Sequence, residues 1–122
     1  MSEYFGAFTG VVSADWSDDG RTMTLREPVV FTDRRGIRWF ADAGDEIDGA
    51  SIPRFFWRFI GGPFSGKYRR ASVIHDVYCV SRCRPSPAVH AMFYAAMRAD
   101  GVFALKAWLM WLAVRLFGPR FK

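Results

Sequence analysis

The sequence predicts an α+β domain, with a small antiparallel β-sheet from the N-terminal half packed against about three α-helices from the C-terminal half. Three observations predict it. Short apolar runs separated by Asp and Gly turns fill the first 45 or so residues. Apolar residues at helical spacing take over after residue 68. The chain has 122 residues, 51% of them hydrophobic, which suits one core and excludes a disordered chain. The expected organisation is therefore a single domain spanning residues 1–122, without repeats or linkers.

The strands come first. Phe8–Ser13 alternates loosely, and Ser17-Asp18-Asp19-Gly20 is turn chemistry. Arg21–Arg26 and Val29–Thr32 follow, split by Glu27-Pro28. Asp33-Arg34-Arg35-Gly36 is a second turn, so Val29–Thr32 and Ile37–Ala41 should pair as a hairpin.

The helices come next. Ile52–Ile60 reads as a short helix or aromatic turn, ended by Gly61-Gly62-Pro63. Tyr68 to about Val80 is helical, with Ala71, Ile74, Val77 and Tyr78 on its apolar side. Ser86 is a candidate N-cap with Pro87 at the first helical position. That second helix should run to Ala99 and stop where Gly101 can supply the C-cap. Val102–Phe117 is the last helix, apolar all round apart from Lys106 and Arg115. A helix this apolar is either buried on several sides or meets a membrane or a partner; it is shorter than the roughly 20 residues of a membrane span, and a central core helix is the first expectation.

Charge divides the chain. Residues 1–48 hold ten acids and five bases, a net −5, whereas residues 49–122 hold two acids and twelve bases, a net +10. A basic half suits an anionic partner or the acidic half of its own fold. The aromatics Phe55, Phe56, Trp57, Trp108 and Trp111 are interleaved with these cations. That mixture fits an anionic membrane surface or a protein interface, and at least one of Phe55, Phe56 or Trp57 is expected to be exposed on it. Nucleic acid is disfavoured, because no reading motif is present. Two cysteines, Cys79 and Cys83, make no disulfide framework, and no secretory signal peptide opens the sequence.

The chemistry-bearing residues gather around His75. It and His90, the two histidines, fall on consecutive helices joined by a short Pro-rich turn. Such helices pack antiparallel, which would bring the imidazoles together. Asp76 points about 100° away from His75, so the two residues cannot share one task. Asp48 sits in the loop Ile47-Asp48-Gly49-Ala50-Ser51 and is expected near His75. Ser51 lacks the strand–turn–helix setting of a nucleophile and reads as structural. His75, Cys79, Cys83 and His90 form a zinc-like set whose spacing matches no standard finger.

The run Asp48-Gly49-Ala50-Ser51-Ile52-Pro53-Arg54, then Trp57, Tyr68, Ala71 and Val73-Ile74-His75-Asp76, resembles a family of small phage and prophage proteins. That family is catalogued as domain of unknown function thirteen fifty-three. Phe93 to Met97, Gly101-Val102 and Met110–Gly118 match its later pattern. This chain departs from it at Cys79, where the family has Tyr, and at His90, where the family has Asp. The resemblance implies a phage accessory protein, placed in the virion or the host cytoplasm and partnered with other phage structural proteins. The His-Asp helix is also similar to that of phospholipase A₂, where a His activates water and the adjoining Asp binds calcium. That likeness implies a hydrolase with His75, Asp48 and His90 as catalytic groups. Asp76, Asp48 and His90 would then hold a divalent metal, calcium or zinc. Two imidazoles on one ion would favour zinc. The other expectation is a non-enzymatic virion or tail interaction protein.

Overall fold

A computed structural model of the protein describes residues 5–18, 22–47, 69–81 and 84–117. Six strands precede three helices among them: β1 (Gly6–Thr9), β2 (Ala14–Trp16), β3 (Met23–Leu25), β4 (Val29–Asp33), β5 (Arg38–Ala41), β6 (Glu46–Ile47), α1 (Arg69–Ser81), α2 (Ser86–Ala99) and α3 (Ala104–Phe117). The architecture is α+β. The strands form two three-stranded antiparallel sheets instead of one, ordered β1-β4-β5 and β2-β3-β6.

The division into two sheets has a local cause. The expected Phe8–Ser13 strand breaks after Thr9, because Gly10 turns the chain with φ +91°. A Cβ on Gly10 would lie 2.7 Å from the Pro28 carbonyl oxygen, so no larger residue fits that turn. The chain then crosses to the second sheet as β2.

The expected hairpin is present, with Val29 opposite Ala41 and Thr32 opposite Arg38. Asp33 builds its turn. Its Oδ1 accepts hydrogen bonds from the Arg35 and Ile37 amides at 2.9 and 3.0 Å. Its Oδ2 accepts from Trp39 Nε1 at 3.2 Å. Burial pushes the Asp33 carboxyl up, but these bonds and the Arg35 charge outweigh it and hold the group below its ordinary value.

Alternation then decides which side chains enter the core. Val29 and Phe31 from β4, Trp39 and Ala41 from β5, and Met23, Leu25 and Ile47 from the other sheet are all buried. They pack against Ile74, Val89, Phe93 and Met97 from the helices. Helix α1 lies on β4, β5 and β6, while α2 lies on β1, β4 and both other helices. Tyr78 fastens α1 to β5, its hydroxyl accepting the Phe40 amide at 3.1 Å and its ring meeting Trp39 edge-on at 5.1 Å. Arg70, at the start of α1, pairs with Asp100 beyond α2, donates to the Gly10 carbonyl at 3.0 Å and lies over the Phe8 ring at 4.4 Å.

The ends of α2 differ slightly from expectation. Pro85, rather than Ser86, is the cap, since the Pro85 carbonyl already accepts the Ala88 and Val89 amides at 3.0 and 3.1 Å. Gly101 closes the helix as expected, with φ +89° and Val102 N–H bonded to the Met97 carbonyl at 3.0 Å.

Helix α3 is not the central core helix that its composition suggests. Ala107, Met110, Ala113 and Val114 form a narrow buried face, and α2 is its main packing partner. The opposite face stands in solvent, with Leu105 68%, Trp108 46%, Leu109 43% and Leu116 49% exposed. The central position belongs to α2. The two faces should respond differently to substitution. Phe93, fully buried on α2, should lose about 3–5 kcal/mol of stability as Phe93→Ala. Leu105→Ala, on the exposed face, should change stability by under about 1 kcal/mol. Urea unfolding measures both, and similar losses would contradict this assignment of faces.

Candidate functional site

Two consecutive helices hold the site. Arg84 and Pro85 start α2 so that it runs back along α1, and this return sets His75 against His90. His75 Nε2 and His90 Nδ1 are 2.9 Å apart, a normal hydrogen-bond distance. The rings are tilted by 35° with centroids 5.1 Å apart. Phe93, one turn along α2 from His90, covers His75 at 4.4 Å between centroids. Cys79, one turn along α1, places its sulfur 3.7 and 3.8 Å from the two His75 ring nitrogens. These near-equal distances put the sulfur beside the ring rather than in line with one nitrogen.

Burial sets the chemistry. His75 is 0% exposed, His90 2% and Asp76 2%. Desolvation holds the His75 imidazole well below its ordinary value, and any proton on the neighbouring His90 would push it the same way. His75 is therefore neutral at pH 7, with one nitrogen of the pair donating and the other accepting. Such a ring can take up a proton, but no solvent reaches it in this conformation. Asp76 projects about 100° round the helix from His75, and a buried carboxylate requires hydrogen-bonding or ionic partners.

The expected constellation is brought together in part. His75 and His90 meet directly, with Cys79 beside them. Asp48, Ser51, Phe55, Phe56, Trp57 and Cys83 lie outside the described residues. The expected approach of Asp48 to His75 and the exposure of the three aromatics therefore fall there too.

A shared metal fits this imidazole pair poorly. Two nitrogens on tetrahedral zinc, each at about 2.0–2.1 Å from it, stand about 3.3 Å apart, whereas these are joined by a direct hydrogen bond. Among the described residues no group of three or more His, Cys, Asp or Glu side chains is placed to hold an ion. A cleft of about 580 Å³ opens elsewhere, between the β4–β5 turn and α2, where Asp33, Arg35, Trp39 and Tyr94 line it with neither imidazole. Sequence reasoning missed that cleft. Its parts come from a turn and a helix more than fifty residues apart, and no motif links them.

The fold and site define a small α+β domain with a histidine pair sealed between two antiparallel helices. Residues 23–114 match the family described as "Protein of unknown function (DUF1353)", and the chain belongs to it. It is 42% identical over 120 residues to "Uncharacterized protein y4jT" of Sinorhizobium fredii (strain NBRC 101917 / NGR234), covering 97% of this chain and 36% of that protein. It is 38% identical over 114 residues to "Uncharacterized protein y4iH" of the same strain, covering 93% of this chain and 48% of that one. The chain thus spans less than half the length of these curated relatives. No solved structure matches it.

The buried imidazole makes stability depend on pH. Its folded pKa is lower than the unfolded value of about 6.5, so the unfolded chain binds the extra proton. Stability is unaffected by this group above about pH 6.5 and falls as pH drops below it. The slope approaches about 1.4 kcal/mol per pH unit. His75→Gln should flatten that slope in urea unfolding between pH 7 and pH 5. An unchanged slope would show that the acid sensitivity arises elsewhere.

Proposed function

We propose that the chain is a phage-associated accessory protein that works by binding, with the outward face of α3 as its docking surface. The observation that carries this reading is the exposure of Leu105, Trp108 and Leu109 on a helix whose other face is packed on the domain. An apolar stripe left in water costs free energy in the isolated protein, and a partner that covers it recovers about 1 kcal/mol for each large side chain that is already half covered. Closure of the histidine pair to solvent also favours binding over catalysis. The phage association rests on the Asp48–Arg54 and His75-Asp76 pattern, and it places the protein with virions or in the host cell. Among the described residues no helix is long and apolar enough to cross a membrane.

Ultracentrifugation of lysed phage-infected cells tests the reading. Wild type should pellet with virions or membranes, while Leu105→Glu/Leu109→Glu should stay in the supernatant with its unfolding midpoint nearly unchanged. Equal partitioning of the two proteins would remove α3 as the docking face.

A second reading is ester hydrolysis centred on His75. It is favoured by the 2.9 Å imidazole pair and by a ring held neutral, which is the state a general base needs. It requires the helices or their cover to open, so that water and substrate reach His75. A divalent cation, calcium or zinc, would then need ligands from Asp76 and Asp48 rather than from the hydrogen-bonded pair. Phospholipid and short-chain esters, assayed with calcium or zinc present, decide the matter. Turnover by wild type and its abolition in His75→Gln are expected, and a wild type inert towards all of them sinks this reading.

A further inference from the structure

Helix α3 presents three properties together. Its outward stripe is continuous, because Leu105, Leu109, Leu112 and Leu116 recur at steps of four, three and four residues, with Trp108 alongside. Its cations stand on either side of that stripe, Lys106 on one flank and Arg115 on the other, both exposed. It carries no acidic residue at all. From these properties we infer that the outward face of α3 lies in the headgroup boundary of an anionic lipid surface, with the helix parallel to the plane of that surface. The inference rests on the docking reading above and names its partner.

Geometry supports an in-plane helix. Fourteen residues make a helix about 21 Å long, short of the roughly 30 Å hydrocarbon core. Its buried face, through Ala107, Met110, Ala113 and Val114, is already committed to the domain. One side therefore faces protein and the other is left for lipid. The flanking cations then sit at the level of phosphate groups, with their aliphatic stems along the apolar boundary. Trp108 is suited to the same depth, since its indole ring is apolar and its N–H can bond at the interface.

The same properties disfavour protein occupants. A second copy laid on the stripe would bring four cations to one seam, with no carboxylate from either helix to offset them. A different protein would meet a face nearly without hydrogen-bonding groups, whereas protein interfaces carry about one hydrogen bond per 100–200 Å². Lipid chains require none.

The test is co-sedimentation of the full chain with vesicles of phosphatidylglycerol and phosphatidylcholine in equal parts, against vesicles of phosphatidylcholine alone. Wild type should bind the anionic vesicles, with a blue shift in tryptophan emission. Raising salt from about 50 to about 500 mM should weaken binding. Lys106→Ala/Arg115→Ala should weaken it by about tenfold or more, at roughly 1 kcal/mol per cation. Leu109→Glu should abolish it while leaving urea unfolding unchanged. Equal binding to both vesicle types overturns the anionic assignment. No vesicle binding by a wild type that still pellets with virions overturns the lipid partner and leaves the docking reading intact. Failure in both experiments overturns both. Sedimentation velocity showing a dimer that Leu109→Glu dissociates would assign the face to a second copy and overturn the inference.

Discussion

The pairing of α1 with α2 carries the architecture, and the hydrogen bond between His75 and His90 fixes that pairing. A hydrogen bond between two imidazoles buried in a core offsets part of the hydration each has lost. Sliding either helix by one residue would turn its histidine through about 100° and break the bond. Apolar contacts such as those of Ile74, Val89 and Phe93 tolerate small shifts, but the polar pair does not. Once α1 and α2 are set, both sheets have a platform, because α1 lies on β4, β5 and β6 while α2 covers β1 and β4. Helix α3 has its place through α2.

A buried polar bond of this kind serves geometry better than it serves stability. It selects one register at the cost of sensitivity to acid, since a proton added to His75 has no solvent to stabilise it. Burial first, and His90 beside it, hold the His75 imidazole neutral, whereas a carboxylate in place of His90 would give it a negative partner and favour the charged form.

The legibility of the fold followed the strength of local signals. The β4–β5 hairpin was readable because Asp33 and Gly36 bracket a turn between two apolar runs. Helices α1 and α2 were readable from periodicity and from their Pro and Gly boundaries. The meeting of His75 and His90 followed from the short connection between those helices. The break after Thr9 was hidden, because it depends on the approach of Gly10 to Pro28 across the fold. Helix α3 was misread for a different reason. When nearly every residue is apolar, the pattern cannot say which face is covered, and only the packing on α2 decides it. A histidine on a half-apolar helix is most often a satisfied core residue, and His75 and His90 are buried in that way, but only the packing separates that case from a histidine in a pocket.

Arg70 joins parts of the chain that are distant in sequence. Its partner Gly10 is 60 residues before it and its partner Asp100 is 30 residues after it. The bond to Gly10 must wait for Arg70 itself, and the bond to Asp100 until the chain has been made through the end of α2. A nascent chain emerging from the ribosome therefore holds its N-terminal strand without this anchor until Arg70 and then Asp100 have been made. Closing loops of that length is slow relative to forming α1 or the β4–β5 hairpin. The Arg70 cluster is thus a late event in folding. Substitution there should speed unfolding far more than it slows folding.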